Sequence, residues 1–231
     1  MYDKLNNINN LRRYNKQGIY KKWIYKNLID YDLICDYLQK IRFSIEDINE
    51  VLSKNELEPC DIVFVIVLVD WIKDSYSKIF EKFKEKVAEK FVYSKSVQLA
   101  RAKKYFVAIR SYVVAHPMNT TKHDDFGFDG DFICVDIRTK NNPIMPIVQF
   151  DQYLYIDYSG LHSGKNKKHK YYLYSYSKKI DGYKYSKYIS FSINDILNVA
   201  KLYIEALYEL DTFLSKLKRK AYKLEIENTN N

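Results

Sequence analysis

Apolar residues recur every three or four positions through much of the chain, the spacing that places them on one face of an α-helix. The first such stretch begins at Tyr20 and continues to Ile41. Ser44 follows, with Asp47 three residues later, and this pair is typical of the start of a new helix. We therefore predict a long helix ending near Ile41 and a short separate helix after Ser44.

Two further helices are predicted before the pattern changes. Pro59 suits the first turn of the next helix, and its apolar stripe continues to Phe91. Residues 62–69 are continuously apolar and rich in β-branched side chains, which also fits a buried strand, but the stripe downstream favours a helix. A third helix is predicted for residues 96–115. It ends before Pro117, because proline drives the preceding residue out of helical geometry.

After Pro117 the period of the pattern shortens to two, which is the period of a β-strand. Alternation marks residues 132–137, 153–158 and 171–176 as strands. Helical spacing returns after Ser190 and continues to about Lys220. The predicted fold is mainly α, a bundle of about four long helices with a small antiparallel β-meander inserted before the last helix.

The predicted domain organisation is simple. Residues 1–18 are polar and are expected to form a loose N-terminal arm, and residues 221–231 a loose C-terminal tail. Residues 19–220 are predicted to form a single helical domain, with the β insert at about 126–190. The turn-rich segment 160–170, with Gly160 and Gly164, is predicted as a loop.

Composition narrows the class of protein. Hydrophobic residues make up 47% of the chain, enough for a folded core, and the formal net charge is +9. A basic surface attracts phosphates, anionic lipid or acidic proteins, although a biased coding composition rich in Lys, Asn, Ile and Tyr would produce the same charge. The start of the chain lacks the apolar region of a secretion signal, and its longest apolar run is far too short for a membrane span. A cytoplasmic protein without membrane association is expected.

Candidate chemistry lies at the predicted end of the third helix, in the sequence IRSYVVAHP. Arg110 offers a permanent forked cation for a phosphate, and His116 can exchange a proton near neutral pH. Together they would suit cleavage of RNA at its 2′-hydroxyl, which needs no metal. An ideal helix places these side chains roughly 120° apart. Either Pro117 loosens the helix so that His116 swings toward Arg110, or a second chain contributes its own pair across a two-fold axis. Alternatively, His116 merely caps the helix end.

An Arg, a polar residue and a downstream His at the end of a bundle helix resemble the motif of HEPN domains. These are small helical bundles, many of them metal-independent ribonucleases of prokaryotic toxin and phage-defence systems, and they commonly act as dimers. The resemblance implies that Arg110 and His116 form the catalytic pair, with Ser111 in the polar position after the Arg. The family usually has Asn, Asp or His where Ser111 stands, and the β insert lies outside its minimal bundle.

Two basic segments are candidates for RNA binding. Lys122 and His123 follow the motif closely and are predicted to contact a substrate phosphate, unless 119–125 is only a polar loop. The second segment, residues 161–190, interleaves lysines with tyrosines, a mixture that suits single-stranded nucleic acid but also a solvated hairpin packed on the bundle. Its predicted substrate-binding residues are Lys165, Lys167, Lys168 and Lys170. No metal or other cofactor is expected, because His123 has too few further ligands at suitable spacing.

The sequence therefore favours two alternative functions. The first is a metal-independent RNA endonuclease of the HEPN type, a toxin or phage-defence effector acting as a homodimer. The second is a non-catalytic helical module that binds nucleic acid or protein within such a system. In either case an antitoxin or other regulatory protein is a possible partner.

Overall fold

The structure, a computed structural model, describes residues 3–11, 17–84, 90–115, 131–139, 151–156, 161–164, 171–178 and 184–219. Within these ranges it contains four α-helices and a sheet inserted before the last helix. The helices are α1 (Leu28–Val51), α2 (Pro59–Lys84), α3 (Ser96–Arg110) and α4 (Ile193–Lys216). The predicted fold class, mainly α with a small sheet before the last helix, is confirmed.

The chain divides into two compact units, and both are discontinuous in sequence. The first, which we call the sheet unit, comprises residues 1–3, 51–67 and 97–199. The second, which we call the helical unit, comprises residues 4–50, 68–96 and 200–231. The assignment of residues 19–220 to one domain stays a prediction.

Helix α1 is continuous through the point where two helices were predicted. Ser44 is buried, and its hydroxyl donates a hydrogen bond of 2.9 Å to the carbonyl of Lys40, four residues earlier. This is how a serine behaves inside a helix, whereas an N-cap serine accepts a bond from a downstream amide. The predicted break at Ser44 is therefore wrong, and the capping residue is Asn27, whose side chain accepts a bond from the Asp30 amide at 2.8 Å.

The chain before α1 folds differently from the prediction. Short 3₁₀ turns at Gly18–Tyr20 and Lys22–Ile24 occupy the stretch where the first helix was expected to begin. Residues 3–11 were predicted to be loose, yet Leu5 is buried and forms hydrogen bonds of 2.8 and 2.9 Å with the side-chain amide of Asn49 in α1. The described part of the arm is thus fastened to the helical unit.

Helix α2 begins at Pro59, as predicted, and residues 62–69 are helical rather than extended. Asp61 accepts a hydrogen bond of 3.0 Å from the amide of Glu58 and a bond of 2.6 Å from the ammonium of Lys54. A carboxylate that reaches back to the capping residue satisfies an amide that the helix itself leaves open. Its negative charge also favours the positive end of the helix dipole.

Aromatic contacts hold the helical unit together. The rings of Tyr76 and Tyr203 lie 5.4 Å apart, and those of Phe91 and Phe213 lie 5.6 Å apart. Such pairs stabilise a core beyond the area they bury, by about 0.5–1.5 kcal/mol each. They join the later part of α2 and the segment after it to the middle and the later part of α4.

The sheet has five strands and is only partly the predicted meander. The strands are β1 (Asp131–Thr139), β2 (Asp151–Ile156), β3 (Leu161–Gly164), β4 (Tyr171–Lys178) and β5 (Lys184–Phe191). Their order is β1-β4-β5-β2-β3, and all neighbours are antiparallel except β2 and β5, which run parallel. The predicted loop at residues 160–170 contains β3, and β5 was not predicted. Strand order is set by pairings distant in sequence, so local alternation does not reveal it.

The sheet reaches the core of its unit where it leads into α4. Tyr171, Leu173 and Phe191 are buried there, and the rings of Tyr171 and Phe191 lie 6.0 Å apart. Strands β4 and β5 pair in register at this end, Tyr171 opposite Phe191.

Among the described helices, none combines the length and the apolar character that crossing a membrane would require.

Candidate functional site

The predicted motif begins at the C-terminal end of α3. Arg110 is the last residue of that helix and Ser111 the first residue of the segment that follows, and both side chains are partly exposed. Their neighbour Ile109 is fully buried, so the helix end is seated in the sheet unit while the two polar side chains reach its surface. The structure therefore places Arg110 and Ser111 side by side where solvent can reach them.

The other predicted site residues lie outside the described ranges. These are His116, Lys122, His123, Lys165, Lys167, Lys168 and Lys170. The turn predicted at residues 126–130 and the tail from residue 221 lie outside them too. Whether the imidazole meets the guanidinium thus stays a prediction.

The backbone at the motif is unusual. Residues Ser111–Ala115 form a π-helical turn that directly continues α3. Within this predicted helix of residues 96–115, regular α-geometry ends at Arg110, so the 100° spacing of an ideal helix does not apply to the residues beyond it. Tyr112 is 1% exposed and holds the turn in the core, while strand β1 lies beside it. Short π-helical turns occur frequently at functional sites, because they redirect side chains within a packed helix.

Helix α3 is also strongly basic. Its sequence, SVQLARAKKYFVAIR, contains four basic residues and no acidic one. Lys103 and Lys104 are exposed, and Arg110 ends the series. The negative end of the helix dipole favours a cation at the last turn, which accounts for part of this arrangement. The remaining charge makes this helix a surface that attracts anions.

Sequence reasoning missed a second place of interest, a cavity in the helical unit. The cavity has a volume of about 1060 Å³ and lies between the N-terminal segment, the two 3₁₀ turns and the first half of α1. We call it the N-terminal cavity. The sequence signal that would have found it is YKKWIYK, residues 20–26, which interleaves lysines with aromatic residues as residues 161–190 do.

Two lysines of the N-terminal cavity have different roles. The ammonium of Lys21 donates hydrogen bonds to three carbonyls at the end of α4, at 3.0, 2.9 and 3.0 Å; the acceptors are Leu214, Ser215 and Leu217. Burial lowers the pKa of Lys21, and the nearby Asp211 partly offsets this shift. Lys22 is exposed, and its ammonium lies 5.1 Å from the centre of the Tyr31 ring. Lys21 is therefore a structural cap, whereas Lys22 is accessible to a ligand.

Comparison with known proteins gives no assignment. No family model, no curated protein and no solved structure matches the chain. The helix end at Arg110 and the N-terminal cavity are the structural features that bear on its function.

Proposed function

We propose that this protein is a metal-independent RNA endonuclease of the HEPN type. The observation that carries the proposal is the basic helix α3, which ends at Arg110 and continues as a π-helical turn with Ser111 at its start. A guanidinium at a surface-accessible, irregular helix end is suited to hold a phosphodiester. We further propose a cytoplasmic toxin or phage-defence effector, active as a homodimer and restrained by an antitoxin or other regulatory protein.

The proposed reaction is an intramolecular transesterification. His116 accepts the proton of the 2′-hydroxyl, whose oxygen attacks the adjacent phosphorus. The bond from phosphorus to the 5′-oxygen breaks, and that oxygen takes up a proton from an imidazolium, His116 of the same or of the second protomer. The products are a 2′,3′-cyclic phosphate and a 5′-hydroxyl. Arg110 stabilises the charge on the phosphoryl oxygens as it develops.

Substrate recruitment is proposed for the basic residues downstream of the motif. Lys122 and His123 would contact the phosphate beside the scissile one, and Lys165, Lys167, Lys168 and Lys170 would hold the strand further away. Because these contacts are electrostatic, binding is expected to weaken as salt rises.

The test is RNA cleavage in the presence of a chelator, with three variants. Arg110→Ala and His116→Ala are each expected to slow cleavage by about 100-fold or more, because a phosphate clamp and an acid–base group each contribute on that scale. Arg101→Ala is the matched control, since it removes the same charge from the same helix about 180° around its axis. It should cleave within a few-fold of the unaltered protein.

The products provide a second readout. A cyclic phosphate should form, and a 2′-deoxy substitution at the scissile nucleotide should abolish cleavage. Full cleavage by His116→Ala, or products with a 5′-phosphate, would overturn the proposal.

A second function, a non-catalytic nucleic-acid-binding module, is favoured by the charge of α3 and by the N-terminal cavity. It predicts salt-dependent binding of RNA without cleavage. That binding would survive His116→Ala and weaken when the insert lysines are neutralised. An RNA that is bound but left intact by the unaltered protein would select this alternative.

A further inference from the structure

The N-terminal cavity has the size of a small-molecule site. Its volume of about 1060 Å³ slightly exceeds the range of roughly 300–1,000 Å³ typical of ligand pockets. Among the residues that the structure describes, its walls come from 8–11, 20–23 and 31–42, and all of these belong to the helical unit.

Three aromatic rings are part of its lining. Tyr20, Trp23 and Tyr31 contribute to the walls, and all three side chains are partly exposed. Stacking on a ring is worth about 1–3 kcal/mol for a nucleobase and tolerates any base, because every base has a flat face. The rings therefore suit a planar, aromatic ligand group.

Cations lie next to these rings. Lys22 is exposed, with its ammonium over Tyr31. Arg42 lines the same cavity, and its Nε is buried with no hydrogen-bond partner among the described residues. Among the described residues, the carboxylate of Glu46 lies 3.8 Å from this Nε, which is an ion-pair distance and not a hydrogen bond. A buried donor of this kind favours an incoming acceptor, and an anionic oxygen such as that of a phosphate forms a charge-assisted hydrogen bond with a guanidinium.

Two amide side chains complete the set of polar groups. Asn9 and Gln39 are exposed and line the cavity from opposite segments, the N-terminal segment and α1. Each amide offers both a donor and an acceptor, which is the combination that pairs with the edge of a base. Rings, cations and amides in one cavity thus suit the face of a base, a phosphate and the edge of a base.

We propose that the N-terminal cavity binds a nucleoside phosphate. The base stacks among Tyr20, Trp23 and Tyr31, and the phosphate contacts Lys22 and Arg42. The same chemistry is presented by a free nucleotide and by one nucleotide of a single strand, and the experiment below separates these sources. The proposal is independent of the endonuclease, because none of these residues belongs to the motif at Arg110.

Tryptophan fluorescence provides the first test. The chain has two tryptophans, so Trp71→Phe leaves Trp23 as the sole reporter. Titration with adenosine or uridine monophosphate, and separately with a short single-stranded oligonucleotide, should quench Trp23. Tighter binding of the mononucleotide identifies a free nucleotide as the ligand. Tighter binding of the oligonucleotide identifies a strand.

Paired variants locate the binding. Tyr31→Leu and Lys22→Gln should each weaken binding by about tenfold, which corresponds to the loss of one stacking or phosphate contact. Tyr37→Leu, on the same helix, and Lys78→Gln, on α2, change residues of the same types that do not line the cavity. These controls should bind as tightly as the parent. Equal weakening by Tyr31→Leu and Tyr37→Leu would overturn the assignment.

The unaltered protein allows a test that needs no variant. Cys35 lines the cavity, and Cys60 is an exposed thiol of the sheet unit. A nucleotide should slow alkylation of Cys35 and leave that of Cys60 unchanged, as measured by peptide mass spectrometry. Inorganic phosphate alone should protect far less. Absence of protection by both mononucleotide and oligonucleotide, or equal protection by inorganic phosphate, would overturn the proposal.

Discussion

A Cβ atom on Gly18 would lie 2.0 Å from Oδ1 of Asp211. The same carboxylate oxygen accepts a hydrogen bond of 2.8 Å from the amide of Ile19, so the chain must pass this close for the bond to form. Gly18 also has a φ of 58°, in the left-handed region that residues with a side chain rarely adopt. Asp211 is 3% exposed and lies near the end of α4. This contact fastens the N-terminal segment to the last helix of the helical unit.

Gly18→Ala is expected to lower the free energy of unfolding by about 2 kcal/mol or more, since left-handed strain alone costs about 1–2 kcal/mol. The added methyl group must also displace the Asp211 carboxylate. Denaturant unfolding measures the loss. In an Asp211→Ala background the further cost should shrink towards the strain alone, and an equal cost in both backgrounds would refute the proposed clash.

Lys21→Met should also destabilise the helical unit, by about 2–3 kcal/mol, because a charged donor is removed from three buried or half-buried carbonyls. Hydrogen exchange in the last turn of α4 should quicken at the same time. Lys22→Met is the matched control, since this neighbouring ammonium is exposed, and its cost should stay within about 0.5 kcal/mol. Similar losses for both variants would argue against the capping role.

The lowered pKa of the Asp61 carboxyl predicts how the stability of the protein depends on pH. Burial alone would raise the pKa of Asp61, but the hydrogen bonds from Lys54 and from the Glu58 amide outweigh burial and lower it overall. The unfolded chain therefore binds the proton more readily than the folded one. The stabilisation is complete above the unfolded pKa of about 3.9 and is lost as pH falls through the lower, folded pKa.

Asp61→Asn should reduce stability by about 1–2 kcal/mol near neutral pH and by progressively less in acid. Unfolding free energies measured between neutral and acidic pH would show the two curves converging. Parallel curves would contradict a role for the Asp61 charge.

The substitution Ser44→Ala tests whether α1 is one continuous helix or two helices. Its effect on the free energy of unfolding differs in sign between the two cases. Inside a helix, Ser44→Ala should be neutral or stabilising by up to about 0.5 kcal/mol, because alanine is the better helix former. At an N-cap the same change would cost about 1 kcal/mol. The free energy of unfolding decides between these outcomes, and a clear loss would restore the predicted break.

Local patterns predicted the helices well where local forces dominate. Pro59 begins α2 because its missing amide costs nothing in a first turn, and residues 96–115 are helical because their apolar spacing is regular. The prediction at Ser44 was wrong because serine occurs in two roles. It can cap the start of a helix, or it can lie inside a helix and donate its hydroxyl to a backbone carbonyl. Strands β3 and β5 were not predicted from the sequence. Whether such a short segment joins a sheet depends on the neighbouring strands with which it pairs, here β2 and β4.

The candidate sites show the same division. Arg110 could be proposed from the sequence because its motif lies within a few consecutive residues, and its role stays a prediction. The helix was predicted to continue to about Ala115, whereas regular α-helix ends at Arg110 and a π-helical turn follows. The N-terminal cavity was missed because its walls come from three short segments that only folding assembles. The cap made by Lys21 involves carbonyls that lie more than 190 residues away in the chain, as the bond to Leu214 illustrates.

The sequence by itself determined the helical class, the place of the β insert and the basic character of α3, because hydrophobic period and charge are properties of neighbouring residues. Tertiary structure alone decided the continuity of α1, the strand order, the fastening of Gly18 to Asp211 and the shape of the N-terminal cavity. Each of these depends on which distant groups meet, since a buried polar group takes whichever partner the packed chain brings to it.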